Sequence, residues 1–487
     1  MESQQTAAIR VADGGDLQAA LNRANPGDTI LLAPGAVYRG TFVLPARRDA
    51  GDAFITIRTD GPGLPGPGER TGPAFAGRLA VIRGDGVATA LRTAPGTHHW
   101  RIENVEFAAN EKGEGEIIAL GSGGREQRQL TDVPHDLVLD RVYIHGDPKV
   151  GQRRGIGLNS AATTIVNSYI ADIKAAGIEA QAICGWNGPG PFVIENNYLE
   201  AAGENVMFGG SDPWIDGLVP TDITVRGNHF SRPVAWRAES WTVKNLFELK
   251  NARRVVIDGN LFEHHWPQAQ AGYAIVFTPR NQQGRAPWSV VADVRFSNNV
   301  VRRVSSGINI SGRDDIRDSQ PASDFVIDNN LFLDVGGEWG RPGDFLQIGN
   351  GPANVRVTRN TVLQTGRALL VYGSRLGPEA AGFVFTGNVI RHNRYGLFGN
   401  SVGTGNPAIE RYLPGAVVEN NVFFGGERRL YPAGNRFEGA DAFEGLIVEA
   451  DGGYRLRDAG ALGAGADLTA LRTSGRVERA ERRPSKD

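Results

Sequence analysis

The feature that most constrains this chain is a repeated stretch in which apolar and polar residues alternate before an asparagine and a further apolar residue. Its clearest copy is FVIENNYL, residues 192–199. Similar stretches recur every 28 to 39 residues. The aligned asparagines are Asn197, Asn228, Asn260, Asn299, Asn330, Asn360, Asn388 and Asn421. Self-similarity at such a period indicates a repeat architecture.

The pattern inside each repeat predicts strands, because alternation of apolar and polar residues is the strand period and no 3.6-residue helical period is present. Asparagine tolerates left-handed backbone angles, so it suits a sharp bend between two strands. Its amide both donates and accepts, so stacked asparagines can hydrogen-bond along the stack. The sequence therefore predicts an all-β, parallel β-solenoid with one coil per repeat.

The N-terminal segment predicts a cap for the solenoid. Asp16 can cap a short helix over residues 17–24, and Thr29 to Leu32 then forms the first strand. We expect residues 1–8 to be flexible, residues 9–470 to form one β-helix domain including the cap at 16–24, and residues 471–487 to form a disordered charged tail.

Composition excludes several classes of function. The net charge of −2 gives no indication of nucleic-acid or membrane-surface binding. A single cysteine excludes a disulfide framework and argues against a thiolate metal site. No apolar run is long enough to span a membrane, and the N terminus does not read as a signal peptide.

The segment NPGDTILLAPGAVYRG, followed by coils that carry xNNxF, resembles the right-handed parallel β-helix proteins of the pectin-lyase fold. The stretch YRLRDAGALGAGADL, from Tyr454, resembles the closing segment of such chains. The resemblance implies a single-stranded right-handed parallel β-helix with three strands per coil. It also implies a substrate groove on the outer face of the first strand of each coil.

The strands expected on that face include NLFELK, YAIVFT and GINIS. Alternation directs Phe247 and Leu249 inward and Glu248 and Lys250 outward. The loops after these strands are polar, and together with the outward residues they supply a candidate surface cluster of Asp212, Glu248, Lys250, Arg280, Asn281, Arg313, Asp314 and Asp315. Six of the eight tryptophans lie between residues 186 and 288, and Trp214 and Trp266 among them are candidate platforms for sugar rings.

Lys250 and Arg280 resemble the catalytic pair of the alginate-lyase and chondroitinase-B family, in which a lysine and an arginine on successive coils act on a uronic acid. The resemblance implies catalytic roles for Lys250, Arg280 and the neighbouring Glu248. IENNYLEAAGEN, from Ile194, resembles the segment that leads to the calcium ligands of that family and places Glu204 at the first of them. The chain departs from the family at Val206, where a second acid is expected, and in the longer interval from Lys250 to Arg280.

Other functions remain open. Gly312-Arg313-Asp314-Asp315 resembles the adjacent aspartates of β-helical polygalacturonases, which would imply glycoside hydrolysis. Epimerisation of a uronate would begin with the same proton abstraction as elimination. A non-catalytic glycan-binding scaffold would need the aromatic residues without a base.

The prediction is a polysaccharide lyase that cleaves an acidic polysaccharide by β-elimination, with calcium as the implied cofactor. We expect a monomer that is secreted or periplasmic, because such substrates lie outside the cell.

Overall fold

Each sequence repeat folds as one coil of three short strands. In the clearest coil these strands are Phe192–Glu195, Tyr198–Ala201 and Glu204–Phe208, and the next coil begins at Thr221–Arg226. Phe192 pairs in parallel register with Ile223 one coil later. The coils therefore stack into three parallel sheets, as expected for the predicted single-stranded parallel β-helix.

The computed structural model describes residues 7–46, 51–374, 379–443, 446–450, 453–456, 463–469 and 471. Residues 1–6 of the expected flexible N terminus and residues 472–487 of the expected tail lie outside these ranges. No helix within the described ranges has the length and apolar character needed to cross a membrane.

Sheet A holds the strands that precede the asparagines. They are Ala8–Val11, Thr29–Leu32, Ile55–Thr59, His98–Glu103, His135–Asp140, Thr163–Val166, Phe192–Glu195, Thr221–Arg226, Ala252–Asp258, Val291–Ser297, Ser323–Asp328, Ala353–Thr358, Val384–Thr386 and Val417–Glu419.

Sheet B holds the strands that follow the asparagines. They are Val37–Arg39, Ala80–Arg83, Val105–Ala108, Tyr143–His145, Tyr169–Ile173, Tyr198–Ala201, His229–Ser231, Leu261–His265, Val300–Val304, Leu331–Val335, Thr361–Gln364, Val389–Arg391, Val422–Phe424 and Arg436–Glu438.

Sheet C holds the strands expected to form the groove. They are Phe42–Leu44, Leu91–Thr93, Glu116–Leu120, Arg154–Leu158, Gln181–Gly185, Glu204–Phe208, Phe247–Leu249, Ile275–Phe277, Ile308–Ser311, Leu346–Gly349, Leu369–Val371, Leu397–Gly399 and the antiparallel Gly403–Thr404. Phe247, Leu249, Ile275 and Phe277 belong to the apolar interior, so the predicted inward faces are confirmed.

Helices lie at the two ends of the coil stack. The N-terminal helix spans Leu17–Arg23, and the Asp16 side chain accepts a hydrogen bond from the backbone N–H of Ala19 at 2.8 Å. Leu17 and Leu21 of this helix are buried in the interior, as a cap requires. A second helix, Asn406–Tyr412, contacts the last coil of sheet C and was not predicted from the sequence.

The aligned asparagines form a continuous hydrogen-bonded ladder inside the bend between sheets A and B. The side chain of Asn197 donates to Oδ1 of Asn228 at 3.0 Å, and the backbone N–H of Asn197 donates to the same oxygen at 2.9 Å. The contact repeats at every step to Asn421, which donates to Asn435. The ladder asparagines themselves do not have positive φ angles. The left-handed residue is the one before each of them, such as Asn196 with φ 54° or Gly227 with φ 60°.

Segments distant in sequence cover parts of the outer face of sheet B. The loop at residues 60–78 lies against Tyr169 of sheet B at Gly72, and the Arg70 guanidinium donates to the backbone oxygen of Asn196, in the bend between sheets A and B, at 3.0 Å. Toward the C terminus, Tyr454 and Leu468 pack on Leu261 and Val300 of sheet B. Among the cavities of the described structure, one lies over the outer face of sheet C and another opens beside it, and the candidate site lies there.

Candidate active site

A row of outward side chains on successive strands of sheet C forms the floor of the candidate site. The register pairs Met207 with Glu248, Glu248 with Val276, and Val276 with Asn309. Asn309 pairs in turn with Gln347, whose side chain donates to Asn309 Oδ1 at 2.9 Å. Strand pairing alone thus brings five residues from distant parts of the sequence into one line.

Glu248 and Lys250 lie on this floor two residues apart, as alternation predicted. The Lys250 ammonium is 3.5 Å from Glu248 Oε2, and the two side chains are 14% and 2% exposed. Within the described part of the chain, Glu248 is the only carboxylate within 4.0 Å of Lys250 Nζ. Both predicted groups therefore lie on the outward side of the sheet, with the lysine the more accessible.

Lys250 and Arg280 lie on adjoining coils, but their side chains contact different groups. The backbone N–H of Arg280 donates to the Lys250 carbonyl at 2.9 Å. The Arg280 guanidinium lies 2.7 Å from Asp314 and 3.0 Å from Asp315 on the following coil. The structure therefore brings the two backbones together, while each cation has its own carboxylate partners.

Glu204, the residue placed at a calcium position by resemblance, contacts a lysine. The Lys244 ammonium is 2.9 Å from Glu204 Oε1 and 2.6 Å from Glu179 Oε1. The Gln181 side chain donates to the second oxygen of Glu204 at 3.0 Å. Burial, and after it the charge of Glu248, raises the pKa of Glu204. Burial disfavours the ammonium of Lys244, but the carboxylates around it outweigh burial and raise its pKa.

These contacts do not fit a calcium ion at Glu204. Calcium is held by six to eight oxygen ligands, whereas the ammonium of Lys244 takes the position beside both carboxylates. Among the described residues, no group of three or more His, Cys, Asp or Glu side chains is arranged to hold a metal ion. Calcium binding by this chain stays a prediction.

Three of the predicted substrate-binding residues hold loops in place. Asp212 accepts from the backbone N–H groups of Gln283 and Arg285 at 2.9 and 2.8 Å. Asp314 accepts from the backbone N–H of Asn281 at 2.8 Å, and Asn281 Oδ1 accepts from that of Ala286 at 2.9 Å. All three side chains are buried, and the contacts that hold the loops use one oxygen of Asp212, while its Oδ1 has no hydrogen-bond partner within the described structure.

The other predicted loop residues differ in their access to solvent. The Asp315 side chain is 63% exposed, and Arg313 is partly exposed. Trp214 lies under the guanidinium of Arg285, 4.1 Å from the ring centre. Trp266 is buried in a cluster with Trp236 and Trp339, so its ring packs against other residues of the protein.

Asn245 is a floor residue that the sequence analysis missed. It is buried and lines a cavity of about 320 Å³ over sheet C, and both atoms of its side-chain amide lack hydrogen-bond partners within the described structure. Unsatisfied buried amides are rare, so this side chain is a candidate ligand-binding group. Strand alternation gives no face for Asn245, because the chain bends at Leu246 and both Leu246 and Phe247 are buried in the apolar interior.

No protein-family model matches the chain, and no curated protein matches its sequence. Solved structures do match. An alginate lyase of polysaccharide lyase family 6, AlyGC, is similar over 96% of this chain and 58% of its own, with 15% identity and a TM-score of 0.59. This chain therefore spans little more than half the length of that enzyme.

Two other lyases match over nearly their full length. A mannuronic-acid-specific family 6 lyase from human gut microbiota is similar over 90% of this chain and 92% of its own, with 13% identity and a TM-score of 0.54. The alginate lyase AlyF-OU02, solved in complex with G6, is similar over 97% and 95%, with 13% identity and a TM-score of 0.54. The chain is therefore a right-handed parallel β-helix protein with the fold of these polysaccharide lyases.

Proposed function

We propose that this protein is a polysaccharide lyase that cleaves a uronic-acid-containing polysaccharide by β-elimination on the outer face of sheet C. The observation that carries the proposal is the placement of the Lys250 ammonium on the groove floor beside Glu248, at 3.5 Å. Lyases that share the fold act on alginate, which makes alginate the first polymer to test.

Elimination needs a base, a group that neutralises the uronate carboxylate, and a proton for the leaving oxygen. In the proposed reaction Lys250, as the free amine, removes the proton on the carbon next to the carboxylate. The electron pair forms a carbon–carbon double bond as the glycosidic carbon–oxygen bond breaks. The Lys250 ammonium then gives this proton to the leaving oxygen, which restores the free amine, so the products are a new chain end and an unsaturated uronate.

Arg280 is the candidate neutraliser of the substrate carboxylate. Its guanidinium contacts Asp315, whose side chain is 63% exposed, so a substrate carboxylate can compete with Asp315 for the same nitrogen atoms. Asp314 is buried and bound to backbone N–H groups, so it anchors Arg280 from the other side. Glu248 is proposed to position the Lys250 side chain.

The experiment follows the ultraviolet absorbance of the unsaturated product. The protein is incubated with alginate, pectate, chondroitin sulfate, hyaluronan or heparin, each with calcium and with a chelator. We expect absorbance to rise with one of these polymers. Lys250→Ala should lower the rate by at least about a hundredfold, which is the usual contribution of a positioned general base.

A matched control separates a lost base from a damaged fold. Arg356→Ala removes an exposed arginine from sheet A, away from the groove, and should retain the wild-type rate. Far-ultraviolet circular dichroism should be unchanged in both variants. Wild-type turnover by the Lys250→Ala protein would remove Lys250 from the reaction.

One observation favours a second candidate function, glycoside hydrolysis. Glu204 and Glu248 lie on adjoining coils, and the charge of Glu248 contributes to the raised pKa of Glu204. Two neighbouring carboxyl groups, one of them with a raised pKa, are what a hydrolase requires. New reducing ends without an unsaturated product, lost in Glu248→Gln, would establish hydrolysis in place of elimination.

A further inference from the structure

A cavity of about 710 Å³ opens beside sheet C on the C-terminal side of Lys250. Its wall carries the guanidinium-bearing residues Arg341, Arg367 and Arg394, together with the ring of Tyr395. Ala271 and Pro342 also line the smaller cavity that contains Asn245, so the two cavities are neighbours along one groove.

One of the three arginines is fixed by a buried carboxylate. Asp344 accepts three side-chain hydrogen bonds from Arg367, at 2.6, 3.0 and 3.1 Å. The hydroxyl of Tyr273 donates to the same carboxylate at 3.1 Å. Asp344 thus neutralises Arg367 and holds it in one orientation against the wall.

The charges of the other two arginines are not neutralised by a carboxylate of the described structure. Neither Arg341 nor Arg394 has a carboxylate partner in the described part of the chain, and both residues are exposed. Arg394 lies over the ring of Tyr395, 5.0 Å from its centre, and Tyr395 is 39% exposed. With Asp344 as the one acidic residue in the wall, the cavity has a formal charge of +2.

The distance from Lys250 determines what the cavity can bind. Three coil steps separate the strand Phe247–Leu249 from Leu346–Gly349, which Arg341 precedes, and five separate it from Leu397–Gly399, which Arg394 precedes. At the inter-strand spacing of about 4.8 Å, three and five steps correspond to roughly 14 and 24 Å along the helix axis. A single sugar held over Lys250 cannot reach these two arginines, whereas an oligosaccharide lying along the groove can.

We propose that this cavity is a remote anion subsite that binds the carboxylate or sulfate of a sugar unit several positions from the bond over Lys250. The two unpaired guanidinium groups bind the anion, and the Tyr395 ring offers an apolar face for the sugar. The subsite rests on the proposed function for the identity of its polysaccharide ligand. Binding of an oligosaccharide at the subsite does not require that the oligosaccharide be cleaved.

Calorimetric titration tests the proposal by comparing charged with neutral and long with short ligands. The probes are hexasaccharides and disaccharides of mannuronate, guluronate and galacturonate, a heparin-derived hexasaccharide, and neutral cellohexaose. The proteins are the wild type, the double variant Arg341→Ala/Arg394→Ala, and the control Arg356→Ala. The uronate and heparin probes distinguish a carboxylate from a sulfate ligand.

We expect the wild type and the control to bind one anionic hexasaccharide with the same affinity. The double variant should bind it at least about tenfold more weakly, because two charge-assisted contacts are removed. Affinity for the matching disaccharide over Lys250 should stay the same in all three proteins, since a disaccharide bound there does not extend to Arg341 and Arg394. Higher salt should weaken hexasaccharide binding by the wild type.

The outcomes also separate this proposal from the proposed function. Arginine-dependent hexasaccharide binding without any unsaturated product would support the subsite and contradict the proposed lyase activity. Unsaturated product together with unchanged hexasaccharide affinity in the double variant would overturn the subsite alone. The subsite is equally overturned if the wild type binds none of the anionic hexasaccharides, or if cellohexaose affinity falls as much as that of the charged probe.

Discussion

At the scale of single residues, Glu200 on sheet B shows how burial changes the pKa of a carboxyl group. Its carboxylate accepts from the Tyr198 hydroxyl at 2.8 Å and from the backbone N–H of Asp172 at 2.9 Å. Burial first, and the charge of Asp172 second, raise the pKa of Glu200 to about 7. The folded protein thus holds this proton more tightly than the unfolded chain does.

The raised pKa predicts how stability depends on pH. Between the ordinary value of 4.5 and about 7, the folded state binds more protons than the unfolded state, so the free energy of unfolding falls as pH rises. The contribution is on the order of 3 kcal/mol. Glu200→Gln should flatten this part of the profile in urea unfolding at pH 5 to 8. The exposed control Glu419→Gln should follow the wild type, and an unchanged slope in Glu200→Gln would contradict the assignment.

Lys244 leads to a second prediction at this scale. Removing its ammonium in Lys244→Met leaves Glu204 and Glu179 without a cation and should destabilise the protein by about 3 kcal/mol. Calcium should leave the wild-type melting temperature unchanged and should raise that of the variant. Melting curves with calcium and with a chelator measure both effects. A calcium-induced rise in the wild type that disappears in Glu204→Gln would show that the metal does bind at Glu204.

At the scale of elements, the asparagine ladder couples each coil to the next. Asn299 is fully buried, donates to Asn330 Oδ1 at 3.1 Å and to the Ile257 carbonyl at 3.0 Å, and accepts from the backbone of Asn260 at 2.9 Å. Each step therefore connects at least three strands. A lost side chain at one step leaves buried donors and acceptors unpaired on both sides.

Asn299→Ala should lower the free energy of unfolding by roughly 2–4 kcal/mol, because it leaves buried backbone groups unsatisfied. Urea denaturation followed by circular dichroism measures the change. Asn22→Ala removes an exposed asparagine from the N-terminal helix and should alter stability by less than about 0.5 kcal/mol. Equal effects of the two substitutions would mean that the ladder adds little to stability.

The sequence predicts strands better than it predicts loops and bends. Alternation correctly placed Phe247 and Leu249 inward and Glu248 outward, because strand periodicity is local. It does not extend to Asn245, since the bend at Leu246 depends on how the coil closes. Polar loop composition could not distinguish Asp315, which is exposed, from Asp314, which is turned inward onto backbone N–H groups.

At the scale of the whole molecule, segments that are distant in sequence pack on sheet B, and the outer face of sheet C stays open as the groove. Arg70 reaches Asn196 across 126 residues, and Asp467 reaches Asn329 across 138. Both contacts lie in the bend between sheets A and B, and the segments that make them pack on Tyr169 and on Leu261 and Val300 of sheet B. No local pattern encodes such contacts. The resemblance predicted the groove face, whereas its cationic wall at Arg341 and Arg394 emerged from the structure alone.

The ladder has a consequence for how such a protein can change its length. Each asparagine bonds to the next coil whether 28 or 39 residues separate them, as from Asn360 to Asn388 and from Asn260 to Asn299. Loops can therefore gain or lose residues freely, while the strands tolerate only the insertion or deletion of an entire coil. Groove walls and scaffold can then diverge independently, so that a new specificity need not be accompanied by a new fold.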